Sequence, residues 1–424
     1  MSVAVIGAGW AGLACALELA EAGRPVTLYE SARQAGGRAR GVAWDGLAID
    51  NGQHLLIGAY RETLRLIDKI GAAHHLRGVP MRLETPPDFR LAAPALPAPL
   101  HLAVALGGAR GLSWSDKFLA ARMMRRLRTD GYRLAADISV AELLARHGQS
   151  ERLVGLLWEP LCLAALNTPL SSASARIFCH VLRDSLGGPR RASEFLFTDC
   201  NLDDLFVKPA LDHLRARHVD IRLGQRVRNI VHTTAGFELD RHAYGQVVCA
   251  THPAQVAALL PDSPCLVETR RQLAGLRWQP ICTLWLRYPQ PPALAFPMLG
   301  LCDGPGQWVF DRRDLRPGLV AVVISATGPH LAMDDPDLIE SVDRQLRAIV
   351  PDLPEPLVCR RITEKRATFS CTSALDRPGN ATPLPGLFLA GDYTASIDPD
   401  QQYPATLESA VRSGVQCAHL IVQA

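Results

Sequence analysis

The first thirty residues carry the sharpest hydrophobic pattern in the chain. Residues 2–6 are a short apolar run of strand character, which gives way at Gly7-Ala8-Gly9-Trp10-Ala11-Gly12 to helically spaced apolar positions over residues 13–22. Gly23 closes that helix, and residues 26–29 predict a second strand with Glu30 at its tip. Further on, the spacing predicts helices over residues 61–70, 113–128, 207–217, 337–350 and 406–416, and a mostly helical stretch over 138–186. That stretch breaks at Trp158-Glu159-Pro160-Leu161 and at Leu166-Asn167-Thr168-Pro169. Strands are expected over 219–223, 226–231 and 246–251, returning to the first domain, over 281–288 and 320–327 in a second domain, and over the apolar run 386–390.

The glycines give the opening unit its chemistry. Gly7 permits a tight turn, Gly9 removes a β-carbon from the path of a pyrophosphate, and Gly12 lets the helix pack on the strand. The helix N-terminus offers free amides to phosphates, including those of Trp10 and Ala11, and a carboxylate at Glu30 is placed to bond a ribose hydroxyl. The fold class is therefore α/β, a Rossmann-like domain expected from residues 1–85, 200–262 and 380–424. Residues 86–199 and 263–379 are expected to form a discontinuous α+β substrate domain.

Composition narrows the partners. A net charge of +3 over 424 residues does not call for nucleic acid. Eleven cysteines without a CxxC pair predict reduced thiols in a cytoplasmic protein. Prolines at 94, 97 and 99 interrupt the apolar region 86–106, so it cannot span a membrane. The helix over 113–128 opens with Ser113 and Asp116 at capping-box spacing and could share Phe118, Leu119, Met123, Met124 and Leu127 on one face. A basic amphipathic helix beside an apolar, helix-poor loop suits a protein peripheral on the anionic inner face of a membrane; a solvated domain helix explains it equally well. Asp203 and Asp204 precede the helix over 207–217, where a capping role is the default.

Two motifs decide the cofactor. Gly36-Gly37 with Arg38 and Arg40, directly after Glu30 and Ser31, resembles the extension of the nucleotide fold in FAD enzymes of the amine oxidase and carotenoid desaturase superfamily. Gly391-Asp392, at the end of the strand GLFLAGDY, matches its second signature. The resemblance implies FAD, with Asp392 beside the ribityl and pyrophosphate, and Ala405 and Thr406 presenting helix amides to the flavin ring. It also implies Val227 giving a backbone contact to adenine, and the segment Asp50 to His54 passing the isoalloxazine, with Gly52 permitting close approach. Stretches 157–178, 52–60 and 390–414 resemble the hydroxysqualene dehydroxylases of bacterial hopanoid and carotenoid pathways. In the loop over 393–403, Asp398 and Asp400 depart from that likeness.

That family implies reduction of hydroxysqualene to squalene, a lipophilic isoprenoid in an apolar tunnel, and an acid to protonate the departing hydroxyl. His54, Glu159, Tyr60 and Asp203 are the acid candidates, and a structural role is as good a reading for His54. No second glycine fingerprint appears, so reducing equivalents are expected from an external donor or reductase; the oligomeric state stays open. Polyprene desaturation, amine oxidation and a flavin-free lipid carrier are the rival functions.

Overall fold

The computed structural model describes residues 2–423. The opening run folds as β1 (Val3–Ile6), α1 (Trp10–Glu21) and β2 (Val26–Glu30). The chain then leaves this unit through the hairpin of β3 (Arg82–Thr85) and β4 (Phe89–Ala92), and continues through α2 (Leu100–Gly107), α3 (Trp114–Thr129), α4 (Glu159–Leu166) and α5 (Ala175–Ser185). It returns with α6 (Lys208–Ala216), β5 (Asp220–Leu223) and β6 (Gln246–Cys249). A second excursion holds β7 (Trp278–Arg287), β8 (Met298–Gly300), β9 (Trp308–Asp311), β10 (Leu319–Ser325), α7 (Asp335–Ile349) and β11 (Val358–Phe369), before β12 (Leu387–Leu389) and α8 (Leu407–Gln423) close the first domain.

The first sheet is wholly parallel, in the order β5-β2-β1-β6-β12, so three separated stretches of sequence build it. Every residue of β1 and β6 is buried, as strands covered on both faces require. The second sheet is antiparallel, in the order β8-β9-β10-β7-β11. No helix among the described residues is long and apolar enough to cross a membrane. All eleven cysteines are free thiols.

Several local expectations are corrected. Residues 226–230 form no strand: Gly224, at φ +73°, turns the chain away from the sheet, and the Gln225 amide donates to the Glu30 carbonyl instead. Val231–Thr233 joins a separate three-stranded sheet. Neither Asp203 nor Asp204 caps the helix that leads into α6; Asn201 Oδ1 accepts from the Asp204 amide, one turn earlier than expected. The proline-rich region is not helix-free, since α2 forms once Pro99 has been passed. In α3 the capping box is present, but the buried positions are Asp116, Ala120, Met123 and Leu127, leaving Phe118 outside.

Candidate functional site

The glycine turn separates positions the protein itself requires from one it leaves free. A β-carbon on Gly12 would lie 1.8 Å from the Gly7 carbonyl oxygen, and Gly7 combines φ +110° with a clash at 2.5 Å against the Ala250 oxygen. Gly9 differs: its β-carbon would meet only the Gly37 Cα at 3.8 Å. The space before Gly9 is therefore open to a ligand, and no side chain caps the α1 amides that face it. Trp10 itself is structural through its ring, which donates to the Ala39 carbonyl (3.0 Å) and stacks on Phe206. Glu30 accepts from the Ala8 amide (2.9 Å) at one oxygen and from the Ala32 amide and Ser31 hydroxyl at the other.

The two flavin signatures meet across the whole length of the chain. Arg38 donates to Asp392 Oδ1 at 2.6 Å and to the Ala367 carbonyl, so the second motif is fastened to the last. The Gly391 amide donates to Ser413 Oγ, and Thr406 Oγ1 accepts from the Ser409 amide at the entry to α8. Close contact between α8 and α1 fixes that entry: a β-carbon on Gly414 would stand 2.1 Å from the Ala11 carbonyl oxygen.

These groups line one cavity of about 1090 Å³, beyond the roughly 300–1,000 Å³ of most single-ligand sites. Gly7, Gly9, Trp10, Ala11, Glu30, Ser31, Gly37, Arg38, Gly52, His54, Val227, Gly391, Asp392, Ala405 and Thr406 all border it, whereas Gly12 is occupied in helix packing. The far end is greasy. One face of α5, with Phe178, Val181, Leu182 and Ser185 at i, i+3, i+4 and i+7, and Leu161, Ala164 and Ala165 of α4 form its wall.

The four acid candidates divide sharply. Glu159 is exposed at the start of α4 and does not border the cavity. Asp203 is buried, but it accepts from Gln34 Nε2 at 2.8 Å and backs onto Gly41, away from the cavity. Helical spacing could not say which way either side chain points. His54 and Tyr60 do face the cavity. Burial pushes the His54 imidazole down to about 4, and its Nδ1–H donates to the Gly52 carbonyl at 2.6 Å, so the ring is neutral at pH 7 and its one proton is committed to that carbonyl. Burial, helped by the negative charge of Glu408, holds the Tyr60 phenol above its ordinary range and keeps it protonated. Glu408 also accepts from the Glu62 and Thr63 amides and thereby fixes the turn that carries Tyr60.

Two features escaped the sequence reading. Asn167, at φ +46° where α4 ends, donates to the Pro280 carbonyl and Thr368 Oγ1 and accepts from the Ala326 amide, tying the cavity wall to β7, β10 and β11. Arg312, almost wholly buried, donates to Gln53 Oε1 and lies 3.9 Å from Asp50, whose carboxyl burial pushes up to about 6. The signal for the first was an amide in an apolar run; nothing near Arg312 in sequence marked it.

The flavin-containing amine oxidoreductase family matches residues 10–422. The chain is 30% identical to a hydroxysqualene dehydroxylase of Sinorhizobium fredii, over 99% of this chain and 98% of that one. It is 31% identical to another of Rhodopseudomonas palustris, over 100% and 99%. Among solved structures, cyclohexylamine oxidase of Brevibacterium oxydans superposes with a TM-score of 0.72 at 17% identity, covering 100% of this chain and 98% of that one.

Proposed function

Because this chain belongs to the flavin-containing amine oxidoreductases, in their hydroxysqualene dehydroxylase branch, and is an FAD-dependent oxidoreductase, we propose that it reduces hydroxysqualene to squalene with loss of water. The observation that carries this reading is the continuity of the cavity, in which the dinucleotide turn and a mainly apolar helical wall, with Asp184 as its acidic side chain, face one space.

The open space before Gly9, the uncapped amides of α1 and the anchored Asp392 fit a dinucleotide. Gly9, Trp10 and Ala11 would hold the pyrophosphate through their amides, Glu30 a ribose, Val227 the adenine end, and Arg38, Asp392, Ala405 and Thr406 the flavin end. Bound in its reduced form, FAD supplies a hydride equivalent, which an external donor or reductase must first deliver.

The chain supplies the rest. The wall of α4 and α5 excludes water and aligns a long hydrocarbon mainly by apolar contact. Hydroxide is a poor leaving group, so the C–O bond breaks only as the oxygen takes a proton, and water departs. Of the four acid candidates, Tyr60 alone presents to the cavity a group that is protonated at pH 7 and free to donate, and we assign it as the proton donor to that oxygen; Tyr393 and Tyr403 border the same space. Neutral His54, its Nδ1–H committed to Gly52, presents Nε2 as an acceptor and positions the departing group.

The decisive experiment is anaerobic. The holoprotein is reduced with dithionite, hydroxysqualene is added, and flavin oxidation and hydrocarbon product are followed together. Stoichiometric squalene is the expected result; a reduced flavin that ignores hydroxysqualene sinks the reading and turns attention to desaturation.

A further inference from the structure

Half of the large apolar side chains exposed among the described residues fall within residues 96–118: Leu96, Leu100, Val104, Trp114 and Phe118. Between Arg90 and Arg110 the only ionisable residue is His101, yet residues 95–100, 103 and 104 all lie at the surface. Water solvates such a stretch poorly. Trp114 is 77% and Phe118 64% exposed, and in α3 they share an outward face with Ala121 and Arg125 at i, i+4, i+7 and i+11. Arg125 and Arg128 have no ion-pair partner among the described residues, and Lys117 lies 4.5 Å over the Trp114 ring. No acidic side chain stands on this outward face: Asp116 is buried in the capping box, and Asp130 is paired with Arg126 at the helix end.

The inner side of the same region adjoins the cavity. His101 of α2 contacts Ser193 at 3.2 Å, and Ser193 borders the cavity, as do Met81 and Leu83 of the β3–β4 hairpin that precedes α2. The apolar surface and the apolar end of the cavity are therefore separated by one layer of structure.

We infer that α2, α3 and the loop before them form a docking surface for an anionic lipid bilayer. Trp114, Phe118 and Leu100 enter the interface and Arg125 and Arg128 meet headgroup phosphates. An exposed aromatic and aliphatic cluster bordered by unpaired guanidiniums is complementary to acyl chains beneath negative headgroups. Docking here turns the apolar side of the cavity toward the membrane, and that consequence rests on the hydroxysqualene reading, whereas the docking itself does not.

The test uses the FAD-loaded full chain without substrate, so that it succeeds or fails independently of the reaction. Co-flotation is measured with phosphatidylcholine vesicles, with and without phosphatidylglycerol. Binding is expected only with the anionic lipid and is expected to weaken with salt. Arg125→Ala with Arg128→Ala should weaken it about thirtyfold, taking the usual contribution of a basic side chain at such a surface. Trp114→Ser with Phe118→Ser should weaken it comparably; both pairs are exposed, and retained flavin absorbance certifies their folding. Absence of flotation by the parent protein overturns the inference, as does flotation that neither pair affects. Self-association that Trp114→Ser with Phe118→Ser abolishes, in a protein that ignores vesicles, gives the face to a second copy instead.

Discussion

At the scale of single residues, Tyr60 and His54 show what environment adds to identity. Both are cavity residues, but at pH 7 the phenol holds a proton free to donate, whereas burial leaves the imidazole neutral with its one N–H held by Gly52. Tyr60→Phe, which keeps the ring and loses the hydroxyl, is expected to lower kcat for hydroxysqualene by roughly 10²–10⁴ while FAD stays bound. Unchanged kcat would remove Tyr60 from the reaction. Asn167→Ala strips three hydrogen bonds from a buried site and leaves a left-handed backbone without the side chain that tolerates it. A loss of about 2–4 kcal/mol in unfolding free energy is expected by chemical denaturation. The glycines and acids of the flavin motifs were legible in sequence because each belongs to a short motif of fixed spacing, even where its partner, as Arg38 is for Asp392, lies far along the chain. Which way Glu159 and Asp203 point was not, since it depends on partners such as Gln34, distant in sequence.

At the scale of elements, local chemistry announced what local chemistry decides. The Ser113 and Asp116 capping box was readable from spacing, and Ser113→Ala should cost about 1 kcal/mol, seen as a lower thermal midpoint. Its effect extends beyond the helix, because Asp116 Oδ1 also accepts from Ser150. Elements set by long-range packing were harder to read. Residues 226–231 look like a strand by composition, but β5 already occupies the edge beside β2, and Gly224 carries the chain across the sheet ends into the cavity. Gly414 likewise carries no mark of its contact with Ala11. Gly414→Ala pushes α8 off α1 and should destabilise the protein by about 1–3 kcal/mol while weakening FAD retention, read by flavin release on mild heating.

At the scale of the whole molecule, two half-buried histidines that border the cavity shape the response to acid. Burial lowers both His54 and His252 to about 4, against about 6.5 unfolded. The unfolded chain thus binds more protons in that window, and stability present above about pH 6.5 is lost as pH falls through about 4. Asp50, raised to about 6, acts oppositely, losing its contribution as pH rises through that value. Two histidines outweigh one aspartate. Urea midpoints of the holoprotein should therefore fall between about pH 7.5 and pH 5, and a midpoint that holds or rises would contradict the assignment.

The first sheet also dictates an order of assembly. Its fifth strand, β12, and the helix whose entry meets Arg38 through Asp392 are translated after the other four strands, and long after β1 and the glycine turn. A nascent chain can shape the pyrophosphate end early, but it must wait for residues 387–423 before the flavin end closes. Until then the apolar wall stands open, and a ribosome stalled or a message cut short in that interval would release a sticky, cofactor-free product fit only for chaperones or proteolysis.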